Sequence, residues 1–273
     1  MLRDITFGQY YESNSLLHKT DPRFKIVILI LLIVFIFLAK NAFSLGFAAA
    51  AMAAVMLISR VPLRLYLKNM KAILPVLLFT AVINLFYGDG GRVLFSVWKL
   101  TVNTEGVYRA VFMAVRIILL ILISSALTYT TTPNDLTDAI ESLLSPLKYV
   151  GLKSAVHTLA MMMTIALRFI PTLTEEAEKI MNAQKARGAD LENGRLSERV
   201  KALIPILIPL LISSVRRAYE LAEAMECRCY RGGAGRTKMK EMHLHTGDFF
   251  ALAAVVLYIA GIFVVNHFLG SVL

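Results

Sequence analysis

AVHTLAMMMTIALRFIPTLTEEAEKIMNAQKARG, residues 155–188, is followed after a short gap by ALIPILIPLLISSVRRAYELAEAMECRCYRG, residues 202–232. Each stretch opens strongly apolar, over Ala155–Ile170 and Ala202–Val215, and closes in a charged run with helical spacing. The pattern predicts two long helices, each half suited to lipid or protein and half to water. Proline removes a helical N–H and crowds the preceding turn, so Pro171, Pro205 and Pro209 are expected bend points. Thr172 and Glu175 have capping-box spacing, which would restart the first helix after Pro171, and Gly188 would stop it. The second helix runs from about Glu198 to Tyr230, with Gly232 and Gly233 ending it. A shorter amphipathic helix, Asp135–Tyr149, precedes both. Each long helix closes on one arginine between small residues, Ala186-Arg187-Gly188 and Cys227-Arg228-Cys229. Small neighbours would let a guanidinium enter a partner's groove and meet a carboxylate bidentately. The plainer alternative is a cation placed favourably at a helix C-terminus.

Outward from this region the chain is a membrane protein. Hydrophobic residues make up 57% of its 273 positions and charged residues only 18%, more apolar matter than one water-soluble core requires. Five further apolar runs, Phe24–Ala39, Ala42–Ile58, Ala72–Phe86, Val111–Tyr129 and Phe249–Leu269, read as five transmembrane helices in an all-α polytopic fold. Several are short, so Lys25, Lys40 and Arg60 are expected to snorkel. Residues 1–129 form a membrane region of four spans, 130–248 a cytoplasmic or interfacial region and 249–273 a last span. The middle region holds 16 basic and 14 acidic residues. Arg3, Lys19, Arg23 and Lys25 before the first span, and Arg60, Arg64, Lys68 and Lys71 between the second and third, place those segments and the N-terminus in the cytoplasm. The loop from Tyr87 to Arg109, with turn residues Gly88, Asp89, Gly90 and Gly91, would face outside, as would the C-terminus. Two extra spans from the apolar halves would preserve this sidedness. Fourteen residues with two prolines are short for a ~30 Å core, which favours an interfacial position for the second half. The formal charge of +10 marks cytoplasmic loops rather than nucleic-acid binding.

The chain carries little chemistry of its own. It contains no GxxxxGK[ST] phosphate loop, so it does not hydrolyse ATP, and the five spans contain no Asp or Glu, which weighs against a proton-coupled secondary transporter. Arg116, near one end of the fourth span, reads as a snorkelling or helix-pairing residue. Asp135, Asp138 and Glu141 share one helix face, as a magnesium-dependent prenyltransferase would require, but a second acidic cluster is absent. Cys227 and Cys229 with His243 and His245 lack structural zinc spacing, so no metal site is expected. Two cysteines one residue apart fit a reducing compartment.

Paired small-Arg-small motifs on two cytoplasmic helices resemble the transmembrane (T) component of energy-coupling factor (ECF) transporters, ABC-type importers of vitamins and metals. The likeness covers nearly the whole chain. It includes Gly8–Arg23, with Ser15, His18, Asp21, Pro22 and Arg23, and the run Arg168-Phe169-Ile170-Pro171 that leads into the first motif. The second motif departs in carrying two cysteines where the family often has alanine or glycine. The resemblance implies a non-catalytic membrane scaffold in a prokaryotic cytoplasmic membrane. Two ABC ATPase subunits would bind ATP and Mg, one engaged by Arg187 and the other by Arg228, and the chain itself would hold no cofactor. A separate substrate-binding membrane (S) subunit would take a vitamin rather than cobalt or nickel. Met161, Met162 and Met163 with Leu167 and Ile170 offer an adaptable contact for that subunit, or ordinary packing between the long helices.

Overall fold

Asp21 and Pro22 set the start of the first long helix. The Asp21 carboxylate accepts the Arg23 N–H at 2.9 Å, and Pro22 stands at the first helical position, where no N–H is needed. Asn41 and Ser44 perform the same service for the next helix: the Asn41 N–H donates to Ser44 Oγ at 3.2 Å. The computed structural model describes residues 10–86, 93–97, 100–146, 153–189, 196–232 and 246–269. In chain order these form α1 (Leu16–Lys19), α2 (Pro22–Leu38), α3 (Ala42–Ser59), α4 (Leu63–Phe86), β1 (Val93–Val97), β2 (Leu100–Asn103), α5 (Thr104–Thr130), α6 (Pro133–Leu143), α7 (Lys153–Ala186), α8 (Leu196–Cys227) and α9 (Thr246–Leu269). The protein is an all-α polytopic membrane protein, with one short antiparallel hairpin among the described residues, β1–β2, before α5.

The chain divides into two compact units, Gly8–Leu136 with Glu241–Leu273, and Thr137–Lys240 with Met1–Phe7. In the first, α5 packs against α2, α3 and α4, while α9 packs against α2 and α3. Hydrogen bonds fix the directions. At one end the Tyr11 N–H meets the Tyr129 carbonyl at 3.0 Å, the Asp21 N–H meets Asp248 Oδ1 at 2.9 Å, and the Tyr129 hydroxyl meets the Leu65 carbonyl at 3.1 Å. At the other, Arg116 donates to the Ala39 carbonyl and the Asn266 amide to the Leu38 carbonyl. Helices α2 to α5 therefore alternate in direction, and α9 runs parallel to α2. Lipid is as apolar as leucine, so van der Waals packing and interhelical hydrogen bonds hold such spans together. The core supplies both: Tyr66, 1% exposed, meets Tyr129 edge-on with ring centres 5.3 Å apart.

Several sequence expectations change here. Lys25 does not snorkel; it is buried and donates to the Thr130 carbonyl at 2.9 Å, tying the start of α2 to the end of α5. Arg116 pairs helices, and its guanidinium lies 4.8 Å from the Phe112 ring centre. Helix α4 begins at Leu63 rather than Ala72, so Arg64, Lys68 and Lys71 ride on the helix instead of filling a loop. Helix α5 begins at Thr104, seven residues before the apolar run at Val111 and directly after β2, whose last residue, Asn103, holds the N-cap position in extended backbone. Hydropathy marks where a helix meets lipid, whereas hydrogen bonding decides where it starts. Gly88, Asp89, Gly90 and Gly91 lie outside the described residues. Six described helices, α3, α4, α5, α7, α8 and α9, are long and apolar enough to cross a membrane; α2, at 17 residues, is slightly shorter.

The α4–α5 contact depends on one glycine. A Cβ on Gly106 would stand 2.5 Å from the Leu85 carbonyl oxygen, a backbone atom that cannot swing aside. Gly106→Ala is expected to destabilise this pair by about 1–3 kcal/mol, the usual cost of overpacking. Thermal unfolding in detergent should show a lowered midpoint, and an unchanged one would contradict the close approach.

Candidate functional site

The second unit is built on α7 and α8. Three contacts align them: the Tyr230 hydroxyl donates to Met161 Sδ at 2.9 Å, Arg217 pairs with Glu176 at 2.8 Å, and the Gln184 amide reaches the Pro205 carbonyl at 3.5 Å. Residue numbers rise on one helix as they fall on the other, so the pair is antiparallel. The Gln184 contact has a specific cause. Pro209 lacks the N–H that would bond the carbonyl four residues back, at Pro205, and the Gln184 side chain supplies a donor instead.

All three prolines lie inside uninterrupted helices, Pro171 in α7 and Pro205 and Pro209 in α8. The expected capping box at Thr172 and Glu175 does not form. The Thr172 hydroxyl donates to the Arg168 carbonyl at 3.5 Å within the helix, because the chain continues past Pro171 and leaves no new N-terminus to cap. Helix α6 is Pro133–Leu143, not Asp135–Tyr149: Thr132 accepts the Asp135 N–H at 3.2 Å and starts it earlier. The Asp135 carboxylate accepts the Thr132 hydroxyl at 2.8 Å and Glu141 meets His157 at 3.4 Å, so two of the three acids on that face serve the local fold. Among the described residues no group of three or more His, Cys, Asp or Glu side chains is placed to hold a metal; His243 and His245 lie outside them.

The two arginine motifs end their helices with the same backbone device. After α7, the Ala189 N–H bonds the Gln184 carbonyl and the Gly188 N–H bonds the Lys185 carbonyl, both at 3.0 Å, with Gly188 at φ +89°. After α8, the Tyr230 N–H bonds the Met225 carbonyl at 3.0 Å and the Cys229 N–H bonds the Glu226 carbonyl at 2.8 Å, with Cys229 at φ +55°. Both are Schellman caps, in which the left-handed residue turns the chain and satisfies the last carbonyls. Arg187 and Arg228 each hold the position just before that residue. All six motif residues, Ala186, Arg187, Gly188, Cys227, Arg228 and Cys229, are exposed. Gly188 therefore has a backbone reason to be glycine, whereas Cys229 adopts the left-handed conformation against the preference of a residue with a Cβ. The cap at Cys229, rather than Gly232 and Gly233, ends α8; Gly232 follows at φ +80°, and Gly233 lies outside the described residues.

Because the helices are antiparallel, the arginines sit at opposite ends of the pair. Tyr230 aligns with Met161, so Arg187 and Arg228 are separated by roughly 35–40 Å of helix axis at 1.5 Å per residue. Of the five contact residues read from the sequence, only Met162 is exposed; Met161, Met163, Leu167 and Ile170 are half-buried, and Met161 accepts the Tyr230 hydroxyl. The larger apolar face lies on α8, where Val200, Leu203, Ile204, Leu207, Ile208, Leu211, Ile212 and Val215 are all exposed. Their three-and-four spacing was the signal that sequence reasoning passed over.

The thiols test what the motif needs. Cys227 and Cys229 are free and exposed, and their inferred role is small size. Cys227→Ala with Cys229→Ala should leave assembly intact, while Cys229→Gly should stabilise the α8 end by up to about 1 kcal/mol by relieving the left-handed backbone. Copurification and thermal unfolding check both; lost assembly together with loss of stoichiometric zinc from the double variant would replace this reading with a metal site.

Residues 13–239 match the family model described as cobalt transport protein, CbiQ. The chain is 47% identical over 267 residues to the energy-coupling factor transporter transmembrane protein EcfT of Ruminiclostridium cellulolyticum, covering 98% of this chain and 99% of that one. It is 51% identical to EcfT of Clostridium kluyveri, covering 94% and 95%, and 40% identical to EcfT of Bacillus subtilis, covering 96% and 98%.

Proposed function

We propose the following role for a chain that belongs to the CbiQ family of cobalt transport proteins and is the transmembrane component of an energy-coupling factor transporter. It is a non-catalytic scaffold that couples ATP hydrolysis by two ABC ATPase subunits to a separate substrate-binding membrane subunit. The observation that carries this reading is the duplicated cap: two exposed arginines on identical helix ends, set roughly 35–40 Å apart along an antiparallel pair. One anchor per ATPase follows from that separation, Arg187 for one and Arg228 for the other, since a single groove does not span it. The exposed α8 face is the seat of the substrate-binding subunit. Its width and continuity exceed what scattered surface residues produce. The cargo is a vitamin-class molecule, bound by that subunit and not by this chain. This follows the sequence resemblance to T components shared among substrate-binding subunits; the relatives' names, energy-coupling factor transporter transmembrane protein EcfT, specify no cargo.

Residues 1–129, 130–248 and 249–273 act as anchor, coupling region and closing span. Closure of the ATPases moves the arginine-tipped ends, and α7 and α8 carry the motion to the apolar face. Pro171 sets the apolar half of α7 at an angle to its docking half, and Pro205 and Pro209 bend α8 within its apolar half. The α7 lever is stiffened by the Glu176–Arg217 pair and the Gln184–Pro205 contact on either side of Ala177–Ala183. Gly-Gly in that segment, at ~1 kcal/mol per glycine, is expected to lower uptake per ATP severalfold while the complex still assembles. The test is reconstitution of this chain, both ATPases and the substrate-binding subunit in vesicles. ATP-driven uptake should vanish when this chain alone is omitted, and persistence would overturn the scaffold role.

A further inference from the structure

The first unit carries a second feature that the coupling role does not use. Arg64, Lys68 and Lys71 lie at i, i+4 and i+7 on α4, along one face of its first two turns, with Arg60 just before the helix. All four are exposed, and none makes an ion pair or hydrogen bond with another described residue. Helix α4 contains no acid at all. Beside the cations, Lys71 opens a groove of about 300 Å³ between α4 and α5, walled by Leu67, Leu74, Leu77, Ile118 and Ile121. The groove thus runs from a cation toward the middle of the span, with Leu77 about 9 Å further along the helix than Lys71 at 1.5 Å per residue.

A general excess of positive charge on the cytoplasmic side accounts for cations in a loop. It does not account for three of them aligned on a helix face at the mouth of an apolar cleft. We propose that this cleft is a binding site for one anionic glycerophospholipid of the cytoplasmic leaflet. Its phosphate sits among Arg64, Lys68 and Lys71, and an acyl chain lies in the groove between α4 and α5. The charge complementarity is one-sided: three cations without an acidic partner among the described residues ask for an anion, and the apolar walls ask for the hydrocarbon that a free phosphate lacks. The arrangement also braces α4, whose described contacts among the helices are chiefly with α5.

The experiment uses the full-length chain in nanodiscs of phosphatidylglycerol and phosphatidylcholine at one to three, followed by release into mild detergent and native mass spectrometry. About one phosphatidylglycerol per chain should survive release. Each of Arg64→Gln, Lys68→Gln and Lys71→Gln should lower its retention about fivefold, while Lys40→Gln at the opposite end of the spans should not. Leu74→Trp, which fills the groove from an exposed position and leaves every cation in place, should lower retention comparably. Equal retention by the triple glutamine variant overturns the site. Retention sensitive to the cations but not to Leu74→Trp reduces it to diffuse surface attraction and also overturns it. Displacement by millimolar glycerol phosphate would assign the cations to a free phosphate ligand and overturn the lipid.

Discussion

Replacing Arg187 and Arg228 together by alanine is expected to abolish association with the ATPases, and each single change to weaken it by more than a hundredfold. An arginine that enters a groove and meets a carboxylate there takes two charges out of water together. Removing it strands the partner's carboxylate, and an uncompensated buried charge costs about 3–5 kcal/mol, against 1.4 kcal/mol per tenfold in affinity. The loss should come from docking and not from folding, because both side chains are exposed and the Schellman caps beside them are made by backbone groups. Arginine-to-lysine changes should retain only part of the affinity, since an ammonium keeps the charge and loses the planar fork. Copurification from membranes measures each case. Normal recovery of both ATPases with the double alanine variant would end the docking account.

The second large effect is expected on α8. Leu207→Asp with Leu211→Asp places two carboxylates one turn apart in the middle of the exposed stripe that begins at Val200. If a membrane subunit covers this stripe, each carboxylate is buried without a partner, and the apolar area that held the two proteins together is broken at its centre. Capture of the substrate-binding subunit should fall below detection while the ATPases, docked at the helix ends, copurify as before. The retained ATPases serve as the control for folding. Capture of the substrate-binding subunit at the wild-type level would show that the stripe faces lipid or another surface.

The sequence carries the membrane class, the five apolar spans and the two arginine motifs in plain sight, since hydropathy and short spacing are local properties. What it hides depends on contacts between distant residues. Lys25 reads as a snorkelling cation until Thr130, more than a hundred positions away, offers its carbonyl. The antiparallel pairing of α7 and α8 is invisible for the same reason: Met161 and Tyr230, or Gln184 and Pro205, meet only in three dimensions. The start of α5 is hidden because its first turn is largely polar, and the start of α4 because Arg64, Lys68 and Lys71 interrupt its leucines and break the apolar run. The caps at Gly188 and Cys229 show the opposite case. Glycine announces a left-handed residue, whereas a cysteine in that conformation is legible only once the backbone is seen.

Nature has placed a reporter on either side of one anchor. Cys227 and Cys229, the only two cysteines in the chain, are exposed and flank Arg228. Maleimide labelling of this chain, alone in detergent and then assembled with the two ATPases, reads directly whether that helix end is covered. The account predicts fast labelling of both thiols in the isolated chain and strong protection of both in the assembled complex, with protection lost in Arg228→Ala. Equal labelling rates in the isolated and assembled chain would contradict it.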